Sequence, residues 1–466
     1  MKIAVIPIDN RPICYDLISD ILKIDNNCEV YLPNISSLGG LLSHSNVDEI
    51  FKFIEDLPEV DFLIVSLDTL AYGGLVSSRR CEDEFEKIKK RIEKFKNLAS
   101  KKAKKILAFS SVMRISNNNI NEEEKTYWED WGKKIFDWSF EFDKTKKEPE
   151  TDIPKEILED YLKTRERNFE INKIYLSWAK EGFFDTLIFS KDDCAEFGLN
   201  VKEARELEKI IEKENIKNAK IKTGADEIPL SLISRAYLDN EEIKIKPVFA
   251  FENSKNLISK YEDISIFSCA NAQLELAKAK TEEKNADIIL YINNFKKEQG
   301  DLVLGDVINQ NDFSKIKNFD FAKEKFFIAD TNNANGADKK LIEKLFKEGN
   351  LENFYGYCGY NTSANTLGCA ILIAIVKFIS LKNKTYNDNA FKKVCFIRFL
   401  DDWGYQAISR KYVRDSAPNF EEALKEKTNE LDLNSKKIEE FLQFRPKKAS
   451  YSLPWNRSFE IRIELN

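Results

Sequence analysis

The chain has 466 residues, room for two or three domains and a large core, with 73 Lys and Arg against 79 Asp and Glu and a formal net charge of −6. That balance, without a dominant block of one sign, argues against nucleic acid as a partner. Eight scattered cysteines lack the spacing of a zinc site, and the single histidine, His44, excludes histidine-rich metal centres and gives a Ser-His-Asp triad little to rest on.

Residues 2–8 form an apolar run closed by Asp9, Asn10, Arg11 and Pro12, the pattern of a buried parallel strand and a polar loop. This N-terminus has no signal-peptide pattern, so a cytoplasmic protein is expected. Apolar runs such as 371–376 are too short to span a bilayer, so no membrane partner is expected. A helix over 15–24 and a strand over 29–32 follow. The strand 62–67 ends in Asp68 and runs on through Tyr72 to Arg79. A helix over 84–102 and a strand over 106–112 lead to Arg114. Residues 120–182 read as a helical insertion in which Trp128, Trp131, Trp138 and Trp178 are packing residues. The strand 186–190 ends at Asp192 and Asp193, and a helix over 201–213 follows. In 219–235 a strand closes at Thr223, Gly224 turns the chain, and Asp226 and Glu227 stand side by side. A helix then starts near Pro229, whose missing N–H costs nothing in a first turn.

In the second half, strands are expected over 248–251, 264–268, 288–292 and 326–329, the last running into Asp330, Asn335 and Asp338. The strand 354–358 leads to Asn361, Asn365 and an apolar helix. From 382 the chain is mostly helical and carries Asp401, Asp402 and Trp403; the tail brings Trp455, Arg457 and a strand over 460–465. Three segments result: an α/β domain over 1–245, a second α/β half over 246–380, and a mostly helical segment over 381–466 that contributes to the site. Strand, polar loop, helix, at least eight times over, is the grammar of a parallel α/β protein. Either a (β/α)8-like barrel with additions or two doubly wound lobes fits it.

Polar residues gather just after the expected strands, where parallel α/β folds place their chemistry. On one shared edge they would converge on one pocket. Asp9, Asn10, Arg11, Asp68, Tyr72, Arg79, Arg114, Asn335, Asp338, Asn361, Asn365, Asp402, Trp403, Trp455 and Arg457 are the candidate substrate-binding residues. Any one of these Asp or Asn side chains alone would read as a helix cap or turn residue. The carboxylate pairs Asp226-Glu227 and Asp192-Asp193 are the catalytic candidates, since two carboxyl groups are the equipment for cleaving a glycosidic bond. Carboxylates and carboxamides bind sugar hydroxyls, and Trp403 or Trp455 could stack on a pyranose face. The expected partner is therefore a small-molecule or oligosaccharide substrate, with no cofactor and no metal.

Gly224-Ala225-Asp226-Glu227 resembles the Asp-Glu motif of substrate-assisted β-N-acetylhexosaminidases, although Thr223 and Ala225 depart from that family's usual His and Gly. The resemblance implies that Asp226 orients an acetamido group and Glu227 protonates the leaving oxygen. Longer motifs lie at 8–12, 66–79, 192–198, 224–227, 335–338, 360–368, 398–406 and 454–460. Together they resemble the bacterial family catalogued as domain of unknown function 4127, which implies a fold and a shared site but no activity. A glycoside hydrolase is the first expectation. A divalent-metal enzyme acting on a phosphorylated or carboxylated molecule is the alternative, with Asp9, Asp68, Asp192, Asp193 and Asp338 as ligands and Arg11, Arg79 and Arg114 as a phosphate clamp. A non-catalytic sugar-binding protein is the third reading. No glycine-rich phosphate loop appears.

Overall fold

The computed structural model describes residues 1–191, 195–306 and 319–465. The chain divides into two compact units, residues 1–15 with 28–229, and residues 16–27 with 230–466. The division falls at Pro229 rather than at 245, and residues 381–466 fall within the second unit.

The first unit is built on β1 (Lys2–Ile6), β2 (Glu29–Tyr31), β3 (Val60–Ser66), β4 (Ala103–Val112), β5 (Thr186–Lys191) and β6 (Ala219–Thr223). They form one parallel sheet in the order β2-β1-β3-β4-β5-β6. The central strands bury apolar residues on both faces, as at 62–65 and 106–109, the pattern of a parallel sheet covered on both sides. The order reverses between β1 and β3, the switch point at which doubly wound sheets leave a crevice for ligands. Two helices, Trp128–Thr145 and Lys155–Lys180, make up the insertion between β4 and β5. Trp128, Trp138 and Trp178 are buried in it, as expected of packing residues.

The second unit repeats the scheme. Its strands are β7 (Lys244–Phe249), β8 (Lys280–Thr281), β9 (Ile288–Asn293), β10 (Gly300–Asp301), β11 (Phe326–Asp330), β12 (Asn333–Ala334), β13 (Phe354–Cys358), β14 (Ala449–Ser452) and β15 (Arg462–Leu465). The main sheet runs β13-β11-β9-β7-β8, all parallel, so the reversal falls between β7 and β9. β10 pairs with β12, and β14 with β15 as an antiparallel hairpin. Parallel strands alternating with helices are present as expected, and the two main sheets carry strand orders of the doubly wound type.

One expected strand is a helix. Residues 264–268 are too short a run for periodicity to decide, and the Ser265 hydroxyl accepts from the Ser268 N–H, capping the helix Ile266–Leu276. The helix Ser363–Asn383 has a mean hydropathy of 1.9 over its most apolar stretch, enough in length and composition to cross a membrane, but 89% of that stretch is buried. It packs on β11 and β13. At Gly356 the approach is closest: φ is +138°, and a Cβ there would sit 2.6 Å from Ile373 Cγ2, so only glycine fits.

Candidate functional site

In the first unit the loop after β1 and the helix after β3 are tied together at the switch point. The helix Leu67–Tyr72 begins directly after β3, and the Thr69 hydroxyl donates to the carbonyls of Pro7 (2.6 Å) and Ile8 (3.1 Å). One residue earlier, Asp68 is 2% exposed and accepts the Ser111 N–H from β4 at 2.8 Å. Burial pushes its carboxyl up to about 7, against the hydrogen bond from Ser111 and the more distant charge of Arg79. The Tyr72 and Ser66 hydroxyls nearby are buried without a hydrogen-bond partner among the described residues.

Arg11 forms a buried clamp. Its Nε donates to both Asp9 oxygens (3.0 and 2.9 Å), while Nη1 and Nη2 fork onto Asp226 Oδ2 (2.9 Å) and Oδ1 (2.6 Å). Planar guanidinium geometry is what allows it to serve two carboxylates at once. β1 and β6 are four positions apart in the sheet, roughly 19 Å at about 4.8 Å per strand. The loops after them must therefore reach toward each other over the carboxyl ends of β3, β4 and β5. Glu227 is 1% exposed and folds back over Gly224, accepting the Ala225 N–H at 3.2 Å. A Cβ on Gly224, where φ is +109°, would lie 1.7 Å from Glu227 Oε1.

Arg79 and Arg114 are engaged by the insertion. Arg79 Nη1 donates to Glu124 Oε1 at 2.7 Å, Arg114 Nη2 to Glu123 Oε2 at 2.7 Å, and Ser116 also bonds Glu124 at 2.9 Å. Glu123 and Glu124 went unnoticed in the sequence because they sit in an ordinary Glu run. Asn10 is half-buried, its N–H on the Gly39 carbonyl at 3.2 Å, and His44 is exposed. Asp192 and Asp193 lie outside the described residues.

The second unit holds its own polar cluster at the carboxyl ends of β9, β11 and β13. Asp330 accepts from Asn293 Nδ2 (2.8 Å), the Asp338 N–H (2.7 Å) and the Tyr357 hydroxyl (3.1 Å). Burial, and then the charge of Asp338, push Asp330 up to about 7. Asp338 caps the helix Lys339–Glu348 and takes Asn332 Nδ2 at 3.0 Å. Asn335 (φ +60°) and Asn361 (φ +53°) are both left-handed and joined by an Asn335 N–H to Asn361 carbonyl bond of 2.8 Å. Asn365 lies in the first turn of the helix Ser363–Asn383, its side-chain oxygen buried without a partner among the described residues.

A π-helix, Leu400–Ser409, completes this cluster, its spacing marked by the Arg410 N–H reaching back to the Tyr405 carbonyl. Such segments are rare and recur at functional sites. The five-residue step lets Gln406 Nε2 reach Asp401 at 3.2 Å, while Arg398 binds Asp401 at 2.9 Å and also Asp402. Asp402 also takes the Gly359 N–H at 2.7 Å. Arg410 continues the chain to Gln406 (2.8 Å) and Asn335 (3.1 Å), and Asn335 to Asp301 (3.2 Å). Burial raises Asp401 to about 6, opposed by Arg398 and reinforced by Asp402.

The matched stretch runs across both clusters, from residue 3 to residue 464, in the family described as "Protein of unknown function (DUF4127)". The chain belongs to that family. No curated protein matches it. Among the candidate residues of this family member, Trp403 is 4% exposed and packs edge-on against Phe346 at 5.7 Å; it is a core residue and no stacking platform. Trp455 is half-buried, at φ +60°, with the Arg457 guanidinium 4.5 Å over its ring. Among the described residues no group of three His, Cys, Asp or Glu side chains is arranged to hold a metal ion. Asp9 is committed to Arg11, and Asp68 to Ser111. In the second unit, Asp301, Asn293 and Arg410 are further residues that were not picked out in the sequence. Asn293 carried the usual signal, a polar residue closing an apolar strand; Arg410 carried none.

Proposed function

We propose that this protein is a carbohydrate-active hydrolase that cleaves a glycosidic bond with carboxylate acid/base chemistry, N-acetylated sugars being its first candidate substrates. The observation that carries the reading is Asp68. It stands at the switch point of the first sheet and keeps its proton to about pH 7, with the unpartnered Tyr72 and Ser66 hydroxyls beside it. A general acid must be protonated at working pH, and a polyhydroxy ligand supplies partners for buried hydroxyls. On the same edge, Asp226 is fixed as an ion-pair partner of Arg11. A proton-holding carboxyl and an arginine-paired carboxylate on the same sheet edge suit an acid and a substrate-orienting group.

In this reading Asp68 supplies the proton and the Arg11-held Asp226 orients the substrate. Glu227, to which the motif resemblance gives the acid role, is the competing donor. The seven described cysteines are free thiols, which suits a reducing compartment and a cytoplasmic enzyme. The test is release of nitrophenol from a panel of aryl glycosides that includes N-acetylated ones. Turnover on at least one is expected; binding of sugars without turnover on any would make the protein a binder instead.

A further inference from the structure

We propose that Lys377, in the second unit, is a carbonyl-reactive amine and that the cavity it lines takes a small uncharged aldehyde as an imine on Nζ. Lys377 projects from the helix Ser363–Asn383, is 4% exposed, and donates to the Phe354 carbonyl at 2.7 Å. Phe354 opens β13, so this is the amino-terminal edge of the sheet, away from Asp330 and Asp338 at the other edge. Three rings surround the amine: Phe391 at 3.9 Å, Tyr355 at 5.0 Å and Tyr386 at 5.3 Å. The cavity has a volume of about 730 Å³, within the range of small-molecule sites; Leu351, Leu381, Tyr386 and Phe441 give it apolar wall, and Asn350 and Gln443 add polar wall.

The charges nearby do not favour an anion. Asp388 and Lys392 pair with each other at 2.8 Å; Glu352 lines the cavity at its exposed rim, and Cys395, Tyr355 and Tyr386 are the other titratable groups near the amine. Burial lowers the amine to about 8. At pH 8 about half of the molecules would carry a neutral Nζ, against about 0.3% for an ordinary lysine titrating near 10.5. Desolvation of this kind is how proteins turn lysine into a nucleophile. The Nζ lone pair adds to the aldehyde carbon to give a carbinolamine. Loss of water, its oxygen from the carbonyl and its two protons from nitrogen in net, leaves the C=N bond. No oxidant is involved, and water reverses the step.

The test uses the full chain, benzaldehyde as probe, and cyanoborohydride to trap the imine, with labelled lysines mapped by peptide mass spectrometry between pH 7 and 10. Lys377 is expected to label at least tenfold faster than an exposed lysine such as Lys23, with a midpoint near pH 8, and Lys377→Arg to lose that label alone. Because wild-type mapping is decisive by itself, a poorly folded variant leaves the test intact. Labelling confined to surface lysines, or a Lys377 rate that rises only near pH 10, would overturn the proposal.

Discussion

Replacing Arg11 by Met tests the clamp at the edge of the first sheet. Asp9, Arg11 and Asp226 are 5%, 7% and 7% exposed, so water does little to screen them. Removing the guanidinium takes away four hydrogen bonds, two to each carboxylate, and strands two buried negative charges. Breaking a buried pair in this way costs about 3–5 kcal/mol, a large share of the roughly 5–15 kcal/mol that holds a domain folded. Urea unfolding followed by tryptophan fluorescence is weighted to the first unit, which carries Trp128, Trp131, Trp138 and Trp178 of the six tryptophans. Arg11→Met should lower the midpoint accordingly, and Arg11→Met with Asp226→Asn should be less unstable than the two single costs added together, because the second change removes a stranded charge. An Arg11→Met variant within about 0.5 kcal/mol of wild type, an ordinary surface effect, would refute the clamp as a buried, coupled unit.

Gly224→Ala should displace the Glu227 carboxylate, since the new Cβ would fall 1.7 Å from Oε1; a loss of stability is expected, and an unchanged unfolding midpoint would contradict the packing. The folded protein keeps the Asp68 proton to about 7, whereas the unfolded chain releases it near 3.8. Stability of the first unit should therefore fall as pH rises from about 4 to about 7, by up to about 4 kcal/mol from this group, and urea titrations of Asp68→Asn should show a shallower slope. In the second unit, Asp338→Asn removes a charge that holds Asp330 up, so a carbon-detected NMR titration should find Asp330 losing its proton at lower pH. Trp403→Ala should cost about 3–5 kcal/mol as a core truncation, measured by thermal unfolding.

The strands were legible because buried parallel strands are apolar on both faces, and polar residues closing them marked the edges that carry the clusters. Asp9, Arg11 and Asp226 were found in this way, but their mutual bonding was not, since no sequence pattern links loops four strands apart. The doubling of the 2-1-3-4-5 strand order was hidden for a similar reason: β8 is two residues long and carries no periodicity. Trp403 was misjudged because its neighbours Asp401 and Asp402 look like poor company for a core. Arg398 neutralises them in the interior, and the π-helical step that turns Gln406 onto Asp401 has no signature in composition.

The hydrolase reading stands or falls on the proton donor. With the aryl glycoside identified by the panel, kcat for wild type, Asp68→Asn and Glu227→Gln can be compared at pH 7 with folding checked by circular dichroism. Asp68→Asn is expected to lower kcat by about 10²-fold or more, the usual worth of a general acid, with its fold intact. Full activity in Asp68→Asn would contradict it, and a matching loss in Glu227→Gln alone would hand the role to that residue.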